Sequence, residues 1–311
     1  MNGIINVIKP PGMSSHQLVS YVRRILRIKR IGHTGTLDPG AGGVLLLCVG
    51  KATRLVPFLA DHDKTYIAEM TLGISTTSQD ADGETVDLDT ELNISPNKLG
   101  TAFSSFLGQI NQIPPMASAV KVNGVRLYQL ERQGVTIERK PRKVTIKELH
   151  INKIWPETQH SLAFGSRVLF YVRCSKGTYI RTLCHDLGRA LGTYAHMSFL
   201  TRIGVGPFSI ETSITLEELE AMADQGNFDF LLPMAKALPD FPQVKVAPFM
   251  ERRVLNGNAI TPDYLVDVPK SLVVGDQVLI TAVDGELLAI GEIRYKEQLI
   301  CQPIRVLKEG R

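Results

Sequence analysis

The sequence predicts an α/β protein with two domains, a larger one in residues 1–240 and a small β-rich one in residues 241–311. Three observations support this prediction. The chain has 311 residues, more than a single domain of about 100–200 residues usually holds. Its larger part mixes strand-like and helix-like apolar spacing. Proline density then rises at Pro239, Pro242 and Pro248, which is typical of a domain boundary.

The first elements of the larger domain follow from local apolar spacing. Residues 4–8 predict a short strand that ends at Pro10-Pro11-Gly12. Ser14 or Ser15 can cap the helix that follows, because apolar residues then recur at helical spacing. The continuous apolar run at residues 44–49 predicts a buried strand, and it is too short to cross a membrane.

The later elements show equally clear patterns. Residues 65–72 predict a strand, and residues 168–175 predict another because their apolar and polar side chains alternate. A helix is expected from Ile180 onward, with Gly192 as its C-cap, and a second helix over residues 216–223.

Turn residues define the remaining strands. Asn123-Gly124 predicts a hairpin between strands at residues 117–122 and 125–128. After residue 241, glycine-containing turns separate short strand-like segments, which is typical of a small β-rich module.

Composition excludes several classes of protein. Hydrophobic residues make up 44% and charged residues 21% of the chain, which is typical of a globular protein and not of a disordered or coiled-coil one. The N-terminus lacks the pattern of a secretion signal. The four cysteines are scattered and form no C-x-x-C pair, so we expect reduced thiols in a cytosolic protein, without a zinc site.

Charge is distributed unevenly along the chain, although the formal net charge is only +4. Residues 23–30 hold five basic residues and no acid, and residues 121–147 hold eight basic residues and two acids. Residues 80–91 hold six acids and no base. This segregation is compatible with a polyanionic partner such as nucleic acid. Solvated faces of a mildly basic enzyme would account for it equally well.

The glycine-rich segment at residues 32–45 is the densest candidate for function. Its five glycines require tight backbone turns. The pattern of a phosphate-binding P-loop fails at two positions, because Gly50-Lys51 is followed by Ala52 and because position 45 is leucine. Asp38 precedes a proline, so it is either an Asx-turn residue or a carboxylate held rigidly for catalysis. His33 is likewise either a loop cap or a substrate contact.

Three further residues have both a structural and a functional interpretation. Tyr66 and Tyr179 are either core aromatics or parts of a site. Arg181 lies at the start of a predicted helix, where the helix dipole disfavours a cation. A fixed anionic partner, such as a carboxylate, would explain its position.

Taken together, these segments resemble the bacterial tRNA pseudouridine-55 synthase family. The block G-H-T-G-T-L-D-P-G-A-G-G-V-L is a long and specific match to that family's signature. The order and spacing of the other motifs agree, and the resemblance covers roughly residues 3–235. The motifs lie at residues 9–16, 32–45, 63–66, 114–121 and 175–183.

The resemblance implies a role for each of three candidate catalytic residues. Asp38 corresponds to the aspartate that attacks the target uridine, and Arg181 to the arginine that pairs with it. Tyr66 corresponds to the tyrosine that stacks on the flipped uracil and takes part in proton removal at C5. Whether Asp38 attacks C6 of the ring or assists departure at C1′ stays open.

The substrate-binding residues are implied in the same way. Tyr179 and Leu200 correspond to positions that line the base pocket. His33 corresponds to the histidine that enters the RNA loop, and Asp80 to an acidic residue next to the target nucleotide.

The resemblance also implies the architecture and the partners. We expect a mixed, mostly antiparallel sheet flanked by helices, followed by a PUA-like RNA-binding module. Isomerisation of uridine involves no redox change or external group, so no cofactor and no metal are expected. The expected partner is the T-arm of tRNA. We expect a cytoplasmic monomer that has no obligate protein partner and does not associate with a membrane. The base must leave its stack, at a cost of a few kcal/mol.

Two departures from the family pattern and two alternatives accompany this interpretation. Thr77 replaces a customary acid, and Ala117 stands where the family often has an aromatic residue; both changes could weaken contacts with the RNA loop. A binding-only RNA module is one alternative, and RNA chaperone activity could accompany catalysis. A phosphate-binding NTPase is the other alternative, which the failed P-loop pattern disfavours. Within the family itself a changed RNA target stays open, because target choice depends on surface contacts spread along the chain.

Overall fold

A computed structural model describes residues 1–122, 124–157, 160–269 and 272–308. Strands of the larger domain are β1 Gly3–Lys9, β2 Ile31–His33, β3 Gly42–Val49, β4 Lys64–Leu72, β5 Ile74–Thr76, β6 Thr85–Leu88, β7 Gly108–Gln112, β8 Lys121–Val122, β9 Val125–Arg126, β10 Arg142–Trp155, β11 Arg167–Cys174, β12 Ala195–Val205 and β13 Phe208–Ser209. The C-terminal strands are β14 Gln243–Val246, β15 Leu265–Asp267, β16 Gln277–Thr281, β17 Leu287–Lys296 and β18 Gln298–Val306.

The α-helices are α1 Ser15–Leu26, α2 Val56–Leu59, α3 Pro96–Ser105, α4 Leu127–Glu131, α5 Ile180–Ala190, α6 Leu216–Asp224 and α7 Glu251–Leu255. No helix within the described ranges is long and apolar enough to cross a membrane.

A large sheet of nine strands forms the centre of the larger domain. Its main path runs β1-β3-β12-β4-β11-β10-β7, with β2 paired to β3 and β13 paired to β12. All of these pairings are antiparallel except the parallel one between β3 and β12. The expectation of a mixed, mostly antiparallel sheet is therefore confirmed.

Strand β3 explains the continuous apolar run. Every residue of β3 is buried, and alternate side chains enter two different cores. Leu45 and Leu47 pack in the core with α1 and α6, whereas Val44 and Leu46 pack in a core shared with the C-terminal module. A strand buried on both faces has no polar face, so its sequence shows no alternation.

The predicted helices are present with nearly the predicted ends. Ser14 caps α1, and its side chain accepts a hydrogen bond from the Gln17 backbone N–H. Helix α5 ends one residue before expectation, since Leu191 is its C-cap and Gly192 follows with φ +76°. A third core lies between α3, α5 and the sheet strands β4, β10, β11 and β12.

The predicted hairpin around position 123 is present in shortened form. Asn123 itself lies outside the described residues. Strand β8 pairs with β9, so the turn joins strands of only two residues each. The predicted strands at 117–122 and 125–128 were too long, because Leu127 begins helix α4 and bonds its N–H to the carbonyl of Val120.

The C-terminal region forms a separate five-stranded sheet, in the order β15-β14-β16-β17-β18. This module has its own core and also shares a second core with the larger domain. Leu279, Ile290 and Leu307 of the module belong to the same buried cluster as Ile4 and Leu55. The β-rich character of the tail is confirmed, and the module is attached by apolar packing.

Candidate active site

Asp38 lies on the loop between β2 and β3, and the N-terminal segment braces that loop. The backbone N–H of Gly12 and the Nζ of Lys9 both donate to the carbonyl of Pro39, at 2.9 and 3.2 Å. The Ser15 hydroxyl exchanges two hydrogen bonds with the backbone of Leu37, at 2.9 and 3.2 Å. The loop is therefore fixed on both sides of Asp38, although it contains several glycines.

Arg181 projects from the first turn of α5 and pairs with the Asp38 carboxylate. Arg181 Nε lies 3.1 Å from Asp38 Oδ2, and an Arg181 terminal nitrogen donates to Asp38 Oδ1 at 3.3 Å. The Arg181 side chain is 5% exposed, whereas that of Asp38 is 37% exposed. The pair thus has one buried and one accessible member, and the expected anionic partner of Arg181 is present.

The same guanidinium holds a second carboxylate and two backbone carbonyls. It lies 3.4 Å from Asp80 Oδ2 and donates to the carbonyls of Ser78 and Ala117, at 3.2 and 2.7 Å. Asp80 in turn accepts a hydrogen bond from the Ser78 hydroxyl. Arg181 therefore links the loop of Asp38, the turn around residue 80 and the segment after Pro115.

Tyr66 and Leu200 lie on adjacent strands of the sheet beside this ion-pair cluster. Tyr66 is on β4 and Leu200 is on β12, where it pairs with Ala68. Their exposed fractions are 8% and 7%. With Leu37 they belong to one buried apolar cluster. The arrangement offers an apolar wall next to a carboxylate, as a flipped base requires.

Tyr179 and His33 lie in less buried surroundings. Tyr179 is the N-cap of α5, and its backbone exchanges two hydrogen bonds with the side chain of Gln112, at 3.0 and 3.2 Å. His33 ends β2, and its Nδ1 is buried without a hydrogen-bond partner. Burial is the largest cause of the lowered pKa of His33, which favours the neutral ring.

The ionisation of the two central residues follows from their surroundings. Burial raises the pKa of Asp38 above its ordinary value, while the charge of Arg181 opposes the rise and the charge of Asp80 adds to it. Burial raises the pKa of Tyr66 to about 12, and the nearby Arg202 opposes that effect.

Four buried polar residues around the site have no predicted role in the sequence: Lys9, Lys64, Gln112 and Arg202. Lys9 and Arg202 bond backbone groups on either side of Asp38, and Lys64 donates to the carbonyls of Ala60 and His62. The sequence does contain a signal for Arg202. It lies two residues after Leu200 on the same strand, so both side chains project from the face of the sheet that lines the pocket.

The two departures from the family pattern have definite positions. Thr77 accepts a hydrogen bond from the backbone N–H of Glu84, which stabilises the turn beside Asp80. Ala117 contributes its carbonyl to Arg181, a contact that does not depend on its side chain. Within the described residues no group of three or more His, Cys, Asp or Glu side chains could hold a metal ion.

Comparisons with known proteins identify one family. Two profiles match the chain: the N-terminal domain of the TruB family pseudouridylate synthases over residues 23–180, and the C-terminal domain of tRNA pseudouridylate synthase B over residues 181–239. The chain is 46% identical to the tRNA pseudouridine synthase B of Alkaliphilus oremlandii, over 96% of this chain and 95% of that protein. It is 44% identical to the protein of the same name from Pelotomaculum thermopropionicum, over 99% and 97%.

A solved structure shows the same architecture. The crystal structure of a Cbf5-Nop10-Gar1 complex contains a chain that matches with a TM-score of 0.74 and 30% identity. The match covers 99% of this chain and 85% of that one. Fold, site and relatives define a pseudouridine synthase. The chain belongs to the TruB family of these enzymes, which confirms the resemblance seen in its motifs.

Proposed function

We propose that this protein isomerises the uridine at position 55 in the T-loop of tRNA, with Asp38 as the nucleophile. One observation carries the proposal: Asp38 is held by a buried guanidinium and still keeps 37% of its side chain accessible. Such a carboxylate is oriented for attack and can be reached by a substrate base. tRNA is the substrate named for relatives that match this chain over nearly its full length.

The reaction places a distinct demand on each residue. The uridine leaves its stack, the N1–C1′ bond breaks, and the base rotates. A C5–C1′ bond then forms, and the proton on C5 must leave. Asp38 adds to C6 or assists at C1′, while Arg181 keeps its carboxylate ionised and oriented. Tyr66 stacks on the uracil and receives the C5 proton.

The remaining residues are proposed to hold the RNA. Leu200 and Tyr179 line the base pocket, and His33 enters the T-loop and helps to hold it open. Asp80 lies next to the target nucleotide and orients Arg181, with which it forms an ion pair. Aromatic and apolar contacts of this kind offset the cost of unstacking.

A tritium-release assay tests the reaction and its target together. An unmodified tRNA transcript with tritium at C5 of its uridines is incubated with the protein in the presence of a chelator. We expect release of about one tritium per tRNA, as a single target uridine requires. Release that persists after replacement of U55 would contradict the target, and no release despite tight tRNA binding would favour a binding-only module.

The pH dependence of the rate provides a second test. Asp38 must be ionised to attack, so activity is lost as the pH falls through the pKa of Asp38, which is raised above the ordinary value. Asp80 contributes to this raised pKa. Asp80→Asn should therefore move the acid limb of the single-turnover rate profile to lower pH, by up to about one unit. A limb that moves to higher pH would contradict this electrostatic assignment.

Residues 241–311 are proposed to form a PUA-like RNA-binding domain that contacts the acceptor-stem end of the tRNA. Phe249 is 71% exposed and Tyr264 is 40% exposed, and their rings meet edge to face at 5.8 Å. Arg252 and Arg253 are exposed on the neighbouring helix α7. Aromatic rings beside arginines suit contact with nucleotides and phosphates.

Substitution of these arginines tests the proposed domain. Deletion of the module would expose the apolar core that it shares with the larger domain, so surface changes are preferable. The double variant Arg252→Gln/Arg253→Gln should weaken tRNA binding and reduce the slope of log Kd against log salt by up to about 2. The rate of the bound complex should be unchanged. Arg294→Gln, which removes an arginine paired with Glu292, is the control; an equal effect there would argue against a specific contact.

The proposed setting is a cytoplasmic monomer that also assists tRNA folding. A variant that lacks Asp38 but refolds tRNA normally would separate the chaperone activity from catalysis. Sedimentation of the protein with and without tRNA would test the monomer.

A further inference from the structure

Arg202 is a buried cation that has no role in the proposed reaction. It is 2% exposed and has the largest of the fully buried side chains in the described part of the molecule. Its Nε donates to the carbonyl of Val44 at 2.7 Å, and a terminal nitrogen donates to the carbonyl of Gly35 at 3.2 Å. Among the described residues no carboxylate forms an ion pair with it. A buried charge without a counter-charge is costly.

The position of Arg202 in the sheet directs it toward Tyr66. The two residues are direct partners in the register between β4 and β12. Partners of this kind project from the same face of a sheet, with Cβ atoms about 4.5–5.5 Å apart. Leu200, two residues earlier on β12, projects from that face as well. Arg202 thus lies behind the apolar wall of the pocket, beside the phenol of Tyr66.

The other charged groups near Arg202 are mostly positive. Its charge lowers the pKa values of Lys9, His33 and Lys64, which surround it from β1, β2 and β4. Burial, the thiol of Cys174 and the carboxylate of Asp38 raise the pKa of Tyr66, whereas Arg202 is the cation that lowers it. A negative charge on the phenol is therefore favoured by Arg202 and opposed by its other surroundings.

We propose that Arg202 is a positioning residue for Tyr66. The buried guanidinium of Arg202 stabilises the phenolate of Tyr66, which accepts the C5 proton. The proposal rests on the proposed function, in which Tyr66 is the base. The C5–H bond breaks, its proton bonds to Tyr66 Oη, and its electron pair forms the C5=C6 double bond. C6 gives up a pair in the same step. The C6–O bond returns its electrons to the Asp38 carboxylate if Asp38 has added to C6, or the N1=C6 π pair moves to N1, which then takes a proton from water, if Asp38 has assisted at C1′. The phenol must first have lost its own proton to water, and the cation makes that loss less unfavourable.

The same guanidinium braces the catalytic loop. Its two carbonyl acceptors, on Gly35 and Val44, flank Asp38 in the sequence. If Arg202 only braced the loop, a neutral side chain that still donates hydrogen bonds to these carbonyls would be sufficient. If the charge of Arg202 acts on Tyr66, the same neutral side chain would raise the pKa of the Tyr66 phenol.

Three variants separate the two effects. Arg202→Gln removes the charge and retains an amide donor, Arg202→Lys retains the charge, and Arg202→Met removes both. Each is prepared in the full chain with 3,5-difluorotyrosine at position 66, whose phenol is more acidic than that of tyrosine. Fluorine NMR then follows ionisation at this one position without reference to turnover. Arg54→Met is the matched control, because Arg54 also donates to a backbone carbonyl but lies at the C-terminal module.

We expect Arg202→Gln and Arg202→Met to raise the pKa of the fluorinated phenol by about one unit or more. Single-turnover rates with unlabelled protein should fall at least about tenfold at neutral pH and recover as the pH rises. Arg202→Lys should keep both the pKa and the pH profile near those of the unchanged protein. Affinity for tRNA should stay within about twofold for every variant, since Arg202 is buried.

Other results would overturn the proposal. An unchanged phenol pKa in Arg202→Gln would leave only the bracing role. If both neutral variants fail to fold, a folded Arg202→Lys that loses activity with an unchanged phenol pKa would do the same. Because the fluorine titration requires no turnover, it also distinguishes failure of this inference from failure of the proposed function.

Discussion

The Asp38→Asn variant is expected to form no pseudouridine above background, a loss of at least about 10⁴-fold. An amide has nearly the shape of the carboxylate and can still accept a hydrogen bond from Arg181, but it is a poor nucleophile. The backbone contacts that brace the loop do not involve this side chain. Single-turnover tritium release would measure the loss, and filter binding would show whether tRNA affinity is retained.

Asp82→Asn is the matched control for this experiment. Asp82 is exposed, and its carboxylate lies close enough to Asp38 to raise the pKa of Asp38. It forms no ion pair with Arg181. Its replacement should change the rate by no more than about threefold, as for a surface charge at a distance. Retained turnover in Asp38→Asn, with normal affinity, would remove Asp38 from the role of nucleophile.

Local patterns in the sequence were sufficient for most of the secondary structure. The cap at Ser14 and the alternation that produced β11 each depend on residues close together in the chain. The errors arose where longer-range contacts decide. The strands around position 123 are short because Val120 and Ser118 bond their carbonyls to the N–H groups of Leu127 and Tyr128 instead of continuing a ladder.

The site was predictable in parts. The helix dipole alone indicated that Arg181 needs an anionic partner, and Asp38 is that partner. The choice of Asp38 from the other carboxylates came from the family motif, because 143 residues separate the two. No local pattern indicates which distant strands become neighbours.

Arg202 illustrates the same limit of local sequence patterns. It lies two residues after Leu200, so the sequence alone places both side chains on the pocket face of their strand. Its partner in the register is Tyr66, and that pairing requires β12 to lie next to β4 in the sheet. Only the assembled order of strands supplies this information.

Arg181→Met should be the second most damaging change, with a loss of at least about 100-fold at neutral pH. The substitution leaves Asp38 and Asp80 near each other without their shared cation. Like charges disfavour ionisation, so the pKa of Asp38 should rise and the acid limb of the rate profile should move to higher pH.

The carbonyls of Ser78 and Ala117 also lose a donor in Arg181→Met. We therefore expect a loss of about 2–3 kcal/mol in the free energy of unfolding.

Two further variants identify the cause of this loss. Arg181→Lys keeps the charge, but a single ammonium group cannot reproduce the fan of contacts that Arg181 makes with two carboxylates and two carbonyls. It should recover only part of the rate. The double variant Arg181→Met/Asp80→Asn removes the repulsion as well as the cation, so its acid limb should return toward lower pH, and a double-mutant cycle measures the coupling. An acid limb of Arg181→Met that stays at the pH of the unchanged protein would show that Arg181 acts through geometry, without an effect on the ionisation of Asp38.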